Sequence, residues 1–309
     1  MTISPEILSL IDEIRDDRVH GASELARQAI NVLKTAAERS RAGSAGELLL
    51  EQRAVGEKLM SARPAMAPLF NIVSRLLTAL KATEGVDVNE VRRFTIARAE
   101  ELIRQSLEAV ERIARHASEL IAGGDRIMTH SYSSTVVAAL KAAFRKHPDI
   151  EAIVTRSGAG RIEEKTAKQL SASGIPVAFI DDTALGLYVK MATKVLVGAD
   201  RICSDGSLVN GIGTYPLALA SAKAGVPFYV LCETLKFDPR LKGDEVELEE
   251  KQPSEVLEPG RLPPEVKVAN PYFDVTPPEL ITGVVTEDGL LTPEDVIRKL
   301  ANLPWLELP

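Results

Sequence analysis

Two stretches hold the residue types that acid-base or ligand chemistry needs. Residues 198 to 214, GADRICSDGSLVNGIGT, crowd aspartates, an asparagine, a cysteine and glycines together. A carboxylate such as Asp200 can act as general acid or base, or accept hydrogen bonds from ligand hydroxyls. The same residue type also caps turn amides. Asp205 and Gly206 read as a turn joining two short strands. NGIGT precedes a helical pattern, so the amides of Gly211 to Thr214 could face an anion at its positive end. Neither dinucleotide-fingerprint spacing nor a P-loop lysine is present.

The second stretch, MTHSYSSTVVAAL from Met128, sets Ser131, Ser133 and Ser134 where a strand gives way to a helix. Their hydroxyls suit a phosphate, or they cap the helix. His130 beside Ser131 supplies the types of base and nucleophile, but adjacent residues seldom orient correctly and no orienting acid is evident. His20, His116, His130 and His147 are scattered, and Cys203 and Cys232 lack ligand spacing, so no metal site is read. Cys232, in PFYVLCE, reads as a buried strand thiol.

These residues need a scaffold. From Ile7 to about residue 121 apolar residues recur at helical spacing, with Gly43, Gly56, Pro64, Pro68 and Gly85 as expected helix breaks. The charged faces of these helices read as solvated, or as dimer contacts. Afterwards EAIVTR, PVAFID, KVLVGAD and PFYVLCE read as buried strands, alternating with the helices STVVAALKAAFRKH, EEKTAKQLSASG, TALGLYVKMA and YPLALASAKAGV. This alternation predicts an α/β fold with an open, doubly wound parallel sheet following a helical N-terminal domain. The expected domains are 1–121 and 122–309. In such sheets ligands bind beyond the strands' carboxyl ends, which points to the loops holding Ser131, Arg156, Asp181, Asp200 and Glu233. An acidic, proline-rich stretch from Asp238 reads as a surface excursion, returning through the strand ITGVVTE to a terminal helix.

The bulk properties of the 309 residues fit an ordinary globular protein of two domains, 45% hydrophobic and 26% charged. A net charge of −7 argues against general DNA binding, although one local basic pocket for a phosphate is compatible with it. Two cysteines make no disulfide framework, no run reaches membrane-span length, and the acidic start lacks a secretory signal's basic residues. The expected location is cytoplasmic.

Taken together, the motifs resemble a family that joins the alpha, beta and delta subunits of eukaryotic initiation factor 2B with isomerases of ribose 1,5-bisphosphate and 5-methylthioribose 1-phosphate. The likeness spans nearly the whole chain. GADRICSDGSLVNGIGT is similar to the family's G-A-D-x(5)-G-x-x-x-N-K-I-G-T, ETLKFDP matches a second motif, and NPYFDVTPPELITGVVTEDGLLTP resembles archaeal ribose-bisphosphate isomerases. The resemblance implies a helical domain on a Rossmann-like one. It implies an activity that opens an aldose 1-phosphate ring and moves a proton between carbons one and two. The catalytic positions fall at Asp200 and at Ser131, which stands where the isomerases carry cysteine. Ligand positions fall at Gly21, Ala22, Arg63, Ser133, Asn210 and Lys236, with Arg161 replacing an arginine lost nearby. No cofactor is implied.

Several positions depart from the isomerases. Besides Ser131, Gly211 replaces a lysine, His20 an arginine, Arg156 a glutamate and Gly158 the phosphate-binding arginine. A serine hydroxyl is a far weaker acid than a thiol. Cys203 would have to reach the same carbon from another loop. THSYSSTV is also similar to THAYSRVV of the initiation-factor alpha subunit, which is not an isomerase. The leading expectation is therefore a regulatory subunit, homodimeric or hexameric, that binds a phosphorylated sugar or nucleoside monophosphate and meets a translation GTPase. The alternative is an aldose 1-phosphate isomerase of the ribose 1,5-bisphosphate type.

Overall fold

The computed structural model describes residues 3–156, 162–250, 252–263 and 265–303. Five helices come first: α1 (Pro5–Asp16), α2 (Ala22–Arg39), α3 (Ala45–Ala62), α4 (Ala67–Leu80) and α5 (Val88–Glu119). Their buried faces follow the 3.6-residue repeat, as with Leu25, Ala29 and Leu33 on α2 and Leu69, Ile72 and Leu76 on α4. Gly56 does not break a helix as its type predicts. It lies inside α3, and a Cβ there would come within 2.7 Å of Leu77 Cδ1 on α4, so glycine serves the close approach of two helices.

The chain divides into two compact units inside α5, one running to Glu108 and the other from Ala109 to Leu303. The boundary expected after residue 121 lies at that helix's far end. The division comes earlier because the last turns of α5 put Ile113, Ala114 and Ala117 into the core of the second unit.

The second unit runs β1 (Arg126–Thr129), α6 (Ser134–Lys146), β2 (Glu151–Thr155), α7 (Ile162–Ser171), β3 (Val177–Ile180), α8 (Leu185–Tyr188), β4 (Lys194–Val197), β5 (Arg201–Ile202), β6 (Leu208–Gly211), α9 (Thr214–Ala224), β7 (Phe228–Leu231), β8 (Phe273–Thr276), β9 (Gly283–Thr286), β10 (Gly289–Leu291) and α10 (Pro293–Ala301). The main sheet has the order β10-β9-β7-β4-β1-β2-β3, parallel except for the edge pair β10-β9. Successive strand residues face opposite sides. On β4, Leu196 enters a core with Leu140 of α6 and Leu170 of α7, while Val195 and Val197 enter another with Leu217 of α9 and Val296 of α10. Apolar residues on both faces are what cover a parallel sheet on both sides, so the doubly wound class follows from the strands themselves. The segment TALGLYVKMA, expected as one helix, forms a single α-turn between two 3₁₀ turns. It contains Gly186, a poor helix former, and buries only Leu185 and Val189 within those three turns.

A second, three-stranded antiparallel sheet, β5-β6-β8, leaves the carboxyl end of β4. Asp205 and Gly206 make its β5–β6 turn, where Gly206 takes φ 82°. Among the described residues no helix is long and apolar enough to cross a membrane.

Candidate functional site

In the main sheet the strand order reverses between β1 and β4, the crevice where doubly wound folds bind ligands. The loop after β1 carries His130, Ser131 and Ser133; the loop after β4 carries Gly198, Ala199 and Asp200. Both leave the carboxyl ends of neighbouring strands.

Three glycines let these loops pack closely. A Cβ on Gly198 would come within 2.8 Å of Ser133 Oγ, one on Gly211 within 2.8 Å of Ser131 Oγ, and one on Gly213 within 2.5 Å of the His130 ring. Ser131 takes φ 61°, the single positive value of a non-glycine residue among the described residues. The half-buried Asp200 donates its backbone amide to the Val209 carbonyl at 2.9 Å, tying the β4 loop to β6. Next along β6, Asn210 donates its amide to Thr214 Oγ1 at 3.0 Å. Lys236, 4% exposed, donates Nζ to the Ala199 carbonyl at 2.6 Å, beside Asp200 in the chain. The Ser131–Ser133 loop thus abuts Gly198 and Gly211, the Asp200 loop is tied to β6 through Val209 and to Lys236 through Ala199, and Asn210 turns its side chain to Thr214.

His130 is a strut of this arrangement. Its Nε2 lies 2.7 Å from the Ile212 carbonyl, which can only accept, so Nε2 carries the proton and Nδ1 accepts from Thr155 Oγ1 at 2.6 Å. Burial pushes the imidazole below its ordinary pKa, which keeps this tautomer neutral. With both ring nitrogens committed to these partners, the base-and-nucleophile pairing with Ser131 has no geometric basis. Ser133 is the N-cap of α6, its Oγ accepting from Val136 at 3.3 Å.

The anion cradle read at NGIGT is already filled. Asp274, on β8 opposite Asn210, accepts from the amides of Gly213 at 2.7 Å and Tyr215 at 3.1 Å, the first turn of α9. Burial raises its carboxyl to about 6 despite these amides. Sequence reading missed Asp274, because nothing local marks a carboxylate on one strand as the cap of another segment's helix.

Cys203 cannot supply the thiolate that Ser131 lacks. It is fully buried, and burial pushes its thiol up to about 12; Cys232 stands likewise at about 12. Asp238 of ETLKFDP is buried between Arg201 and Arg240 and holds that segment against β5. Arg156 pairs with Asp181 at 3.6 Å across the ends of β2 and β3. Gly158 and Arg161 lie outside the described residues.

In the first unit a separate group forms around the turn before α2. Gly21 is the N-cap residue of α2 and Ala22 its first residue. His20 Nδ1 lies 2.7 Å from Asp17 Oδ2, and Arg63, 3% exposed at the end of α3, donates Nη1 to the Asp17 carbonyl at 3.1 Å. Burial works to raise the Asp17 carboxyl, but hydrogen bonds from the His20 ring and from the His20 and Val19 amides hold it below the ordinary value. Gly21, Ala22 and Arg63 thus meet within one unit. Among the described residues no group of His, Cys, Asp and Glu could hold a metal ion.

Comparison with known proteins matches the model of the Initiation factor 2 subunit family over residues 18–293. The chain is 34% identical over 308 residues to ribose 1,5-bisphosphate isomerase of Thermococcus kodakarensis, covering 97% of this chain and 96% of that protein. It is 36% identical over 294 residues to the enzyme of the same name from Pyrococcus furiosus, covering 93% and 91%. Among solved structures, translation initiation factor eIF-2B of Pyrococcus horikoshii OT3 superimposes with a TM-score of 0.82 at 34% identity, covering 94% of this chain and 98% of that one.

Proposed function

On the premise that this chain belongs to the initiation factor 2 subunit family, we propose that it isomerises a phosphorylated aldose to the ketose, with ribose 1,5-bisphosphate as substrate. The observation that carries this reading is the near full-length likeness to enzymes of that name. It reverses the order of preference drawn from the sequence, where the regulatory subunit came first.

The reaction moves four protons. One goes to the ring oxygen as the C1–O bond opens, one leaves C2, one arrives at C1, and the C2 hydroxyl gives up its own as the ketone forms. Asp200 is the acid-base group: protonated, it supplies the ring oxygen; as carboxylate it takes the C2 proton, returns it to C1, and then accepts the C2 hydroxyl proton, which leaves it protonated for the next turnover. The Ser131 hydroxyl is too weak an acid for that task and donates a hydrogen bond to the oxygen where charge develops. Lys236 and Asn210 bind oxygens of the sugar phosphate. Within the first unit by itself, the planar fork of Arg63 and the backbone amides of Gly21 and Ala22 suit a phosphate group.

One observation favours a second reading. Residue 131 is serine, and both thiols of the chain are buried and held near 12, so the cysteine-dependent acid-base chemistry implied by the resemblance is lost. A subunit that binds a sugar phosphate or nucleoside monophosphate without turnover, assembling as a dimer or hexamer with a translation GTPase, would follow from that loss. A coupled assay of ketose formation from ribose 1,5-bisphosphate separates the two. Turnover by the wild type that falls at least about 100-fold in Asp200→Asn supports isomerisation, the scale expected of one acid-base group. Saturable binding with no turnover would establish the second reading instead.

A further inference from the structure

We propose that Gly211 is a positioning residue for the Ser131 hydroxyl, so that positions 131 and 211 act as one coupled pair. The consequence for catalysis rests on the isomerase reading; the contact itself does not.

Ser131 holds a left-handed backbone that L-residues disfavour, and such conformations persist only where the surroundings over-determine them. Its surroundings do. The preceding His130 is fixed through both ring nitrogens to Thr155 and Ile212. Two residues on, Ser133 is pinned between the first turn of α6 and the bare Cα of Gly198. Thr166 on α7 donates Oγ1 to the Ser131 carbonyl at 3.4 Å. On the other side, Gly211 is the last residue of β6 and pairs with Phe273 on β8, so its backbone is held as well.

Between these two fixed backbones the space is filled. A Cβ on Gly211 would lie 2.8 Å from Ser131 Oγ and 3.0 Å from Ser131 Cβ, closer than carbon normally approaches. With both backbones restrained, the cheapest relief is rotation of Ser131 about χ1, which carries the hydroxyl away from its place against Gly211. In this backbone, with residue 131 at φ 61°, glycine at 211 is therefore what lets the Ser131 hydroxyl keep that place. Asn210 binds Thr214 and faces away from this contact in sequence register, so its own bond to Oγ1 is not what the substitution disturbs first.

Gly211→Ala, Ser131→Gly and the double variant test this with two readouts. In thermal melts, Gly211→Ala is expected to lower Tm in the wild-type background and to lower it much less in the Ser131→Gly background, where there is no Oγ to strike. Equal drops in both backgrounds would overturn the pair. If Gly211→Ala does not fold, recovery of folding in the double variant supports the contact and its failure overturns it. In turnover of ribose 1,5-bisphosphate, Gly211→Ala should cut kcat roughly 10- to 100-fold with KM within about threefold, as expected of a displaced group that acts in the transition state. The double variant should be no slower than Ser131→Gly alone. Multiplying losses would mean that the residues act independently. A wild type silent on this substrate sinks the isomerase reading and the catalytic consequence together, and the Tm cycle then decides the contact by itself.

Discussion

The serine at position 131, where the resemblance implies a cysteine, matters because the two hydrogens differ in acidity. A free thiol ionises near 8.5, whereas a serine hydroxyl stays protonated at every pH at which proteins fold. The chain's own sulfurs do not compensate. Cys203 and Cys232 are both fully buried, and loss of hydration holds each thiol near 12. Neither should react with a thiol-specific chromogenic reagent at pH 8 in the native protein, and both should react once the protein is unfolded in guanidinium. A fast native phase would contradict their burial. His130, beside Ser131, is held neutral by burial, which outweighs its bond to the Ile212 carbonyl, and its two ring bonds make it a brace between β1, β2 and the loop before α9.

Helix α9 shows how an element is completed by residues far from it. Its N-cap, Gly213, takes φ 102° and has no side chain to offer its amides; the carboxylate of Asp274 on β8 serves them instead. The amides and the helix dipole favour the ionised form, yet burial wins and raises the carboxyl to about 6. Between the unfolded value near 3.8 and about 6, the folded state binds the proton more tightly. This group's contribution therefore falls as pH rises through that window and is level above it. His130 works in the opposite direction, since an imidazole buried neutral loses stability as pH falls through its unfolded value. Asp274→Asn isolates the first effect, because its amide oxygen can still accept from Gly213 and Tyr215. The variant's Tm, relative to wild type, should rise between pH 4 and pH 6.5 and stay flat from there to pH 8. A difference independent of pH would mean that Asp274 titrates normally.

Across the second unit, the parallel sheet and its two cores bring segments far apart in the chain to the carboxyl ends of β1 and β4. A ligand bound there to the folded state alone must stabilise it, by about 2.7 kcal/mol at 100 times its dissociation constant. Ribose 1,5-bisphosphate should accordingly raise the wild-type Tm, and Asn210→Ala should abolish most of that shift. An unshifted wild type would argue against any pentose-phosphate site. The sequence by itself determined the alternation of strands and helices, the cover on both sheet faces, and the placing of Ser131 and Asp200 at strand ends, because period and polarity are local properties that each segment carries. It also marked the turn at Asp205 and Gly206. Only the tertiary structure decided that Gly56 admits α4 rather than ending α3, that Asp274 fills the cradle at α9, and that Gly211 makes room for Ser131. Those outcomes depend on which distant residues meet: Gly213 and Asp274 are 61 positions apart, His130 and Ile212 82. Local patterning specifies which way a side chain faces, but only the folded chain brings it a partner.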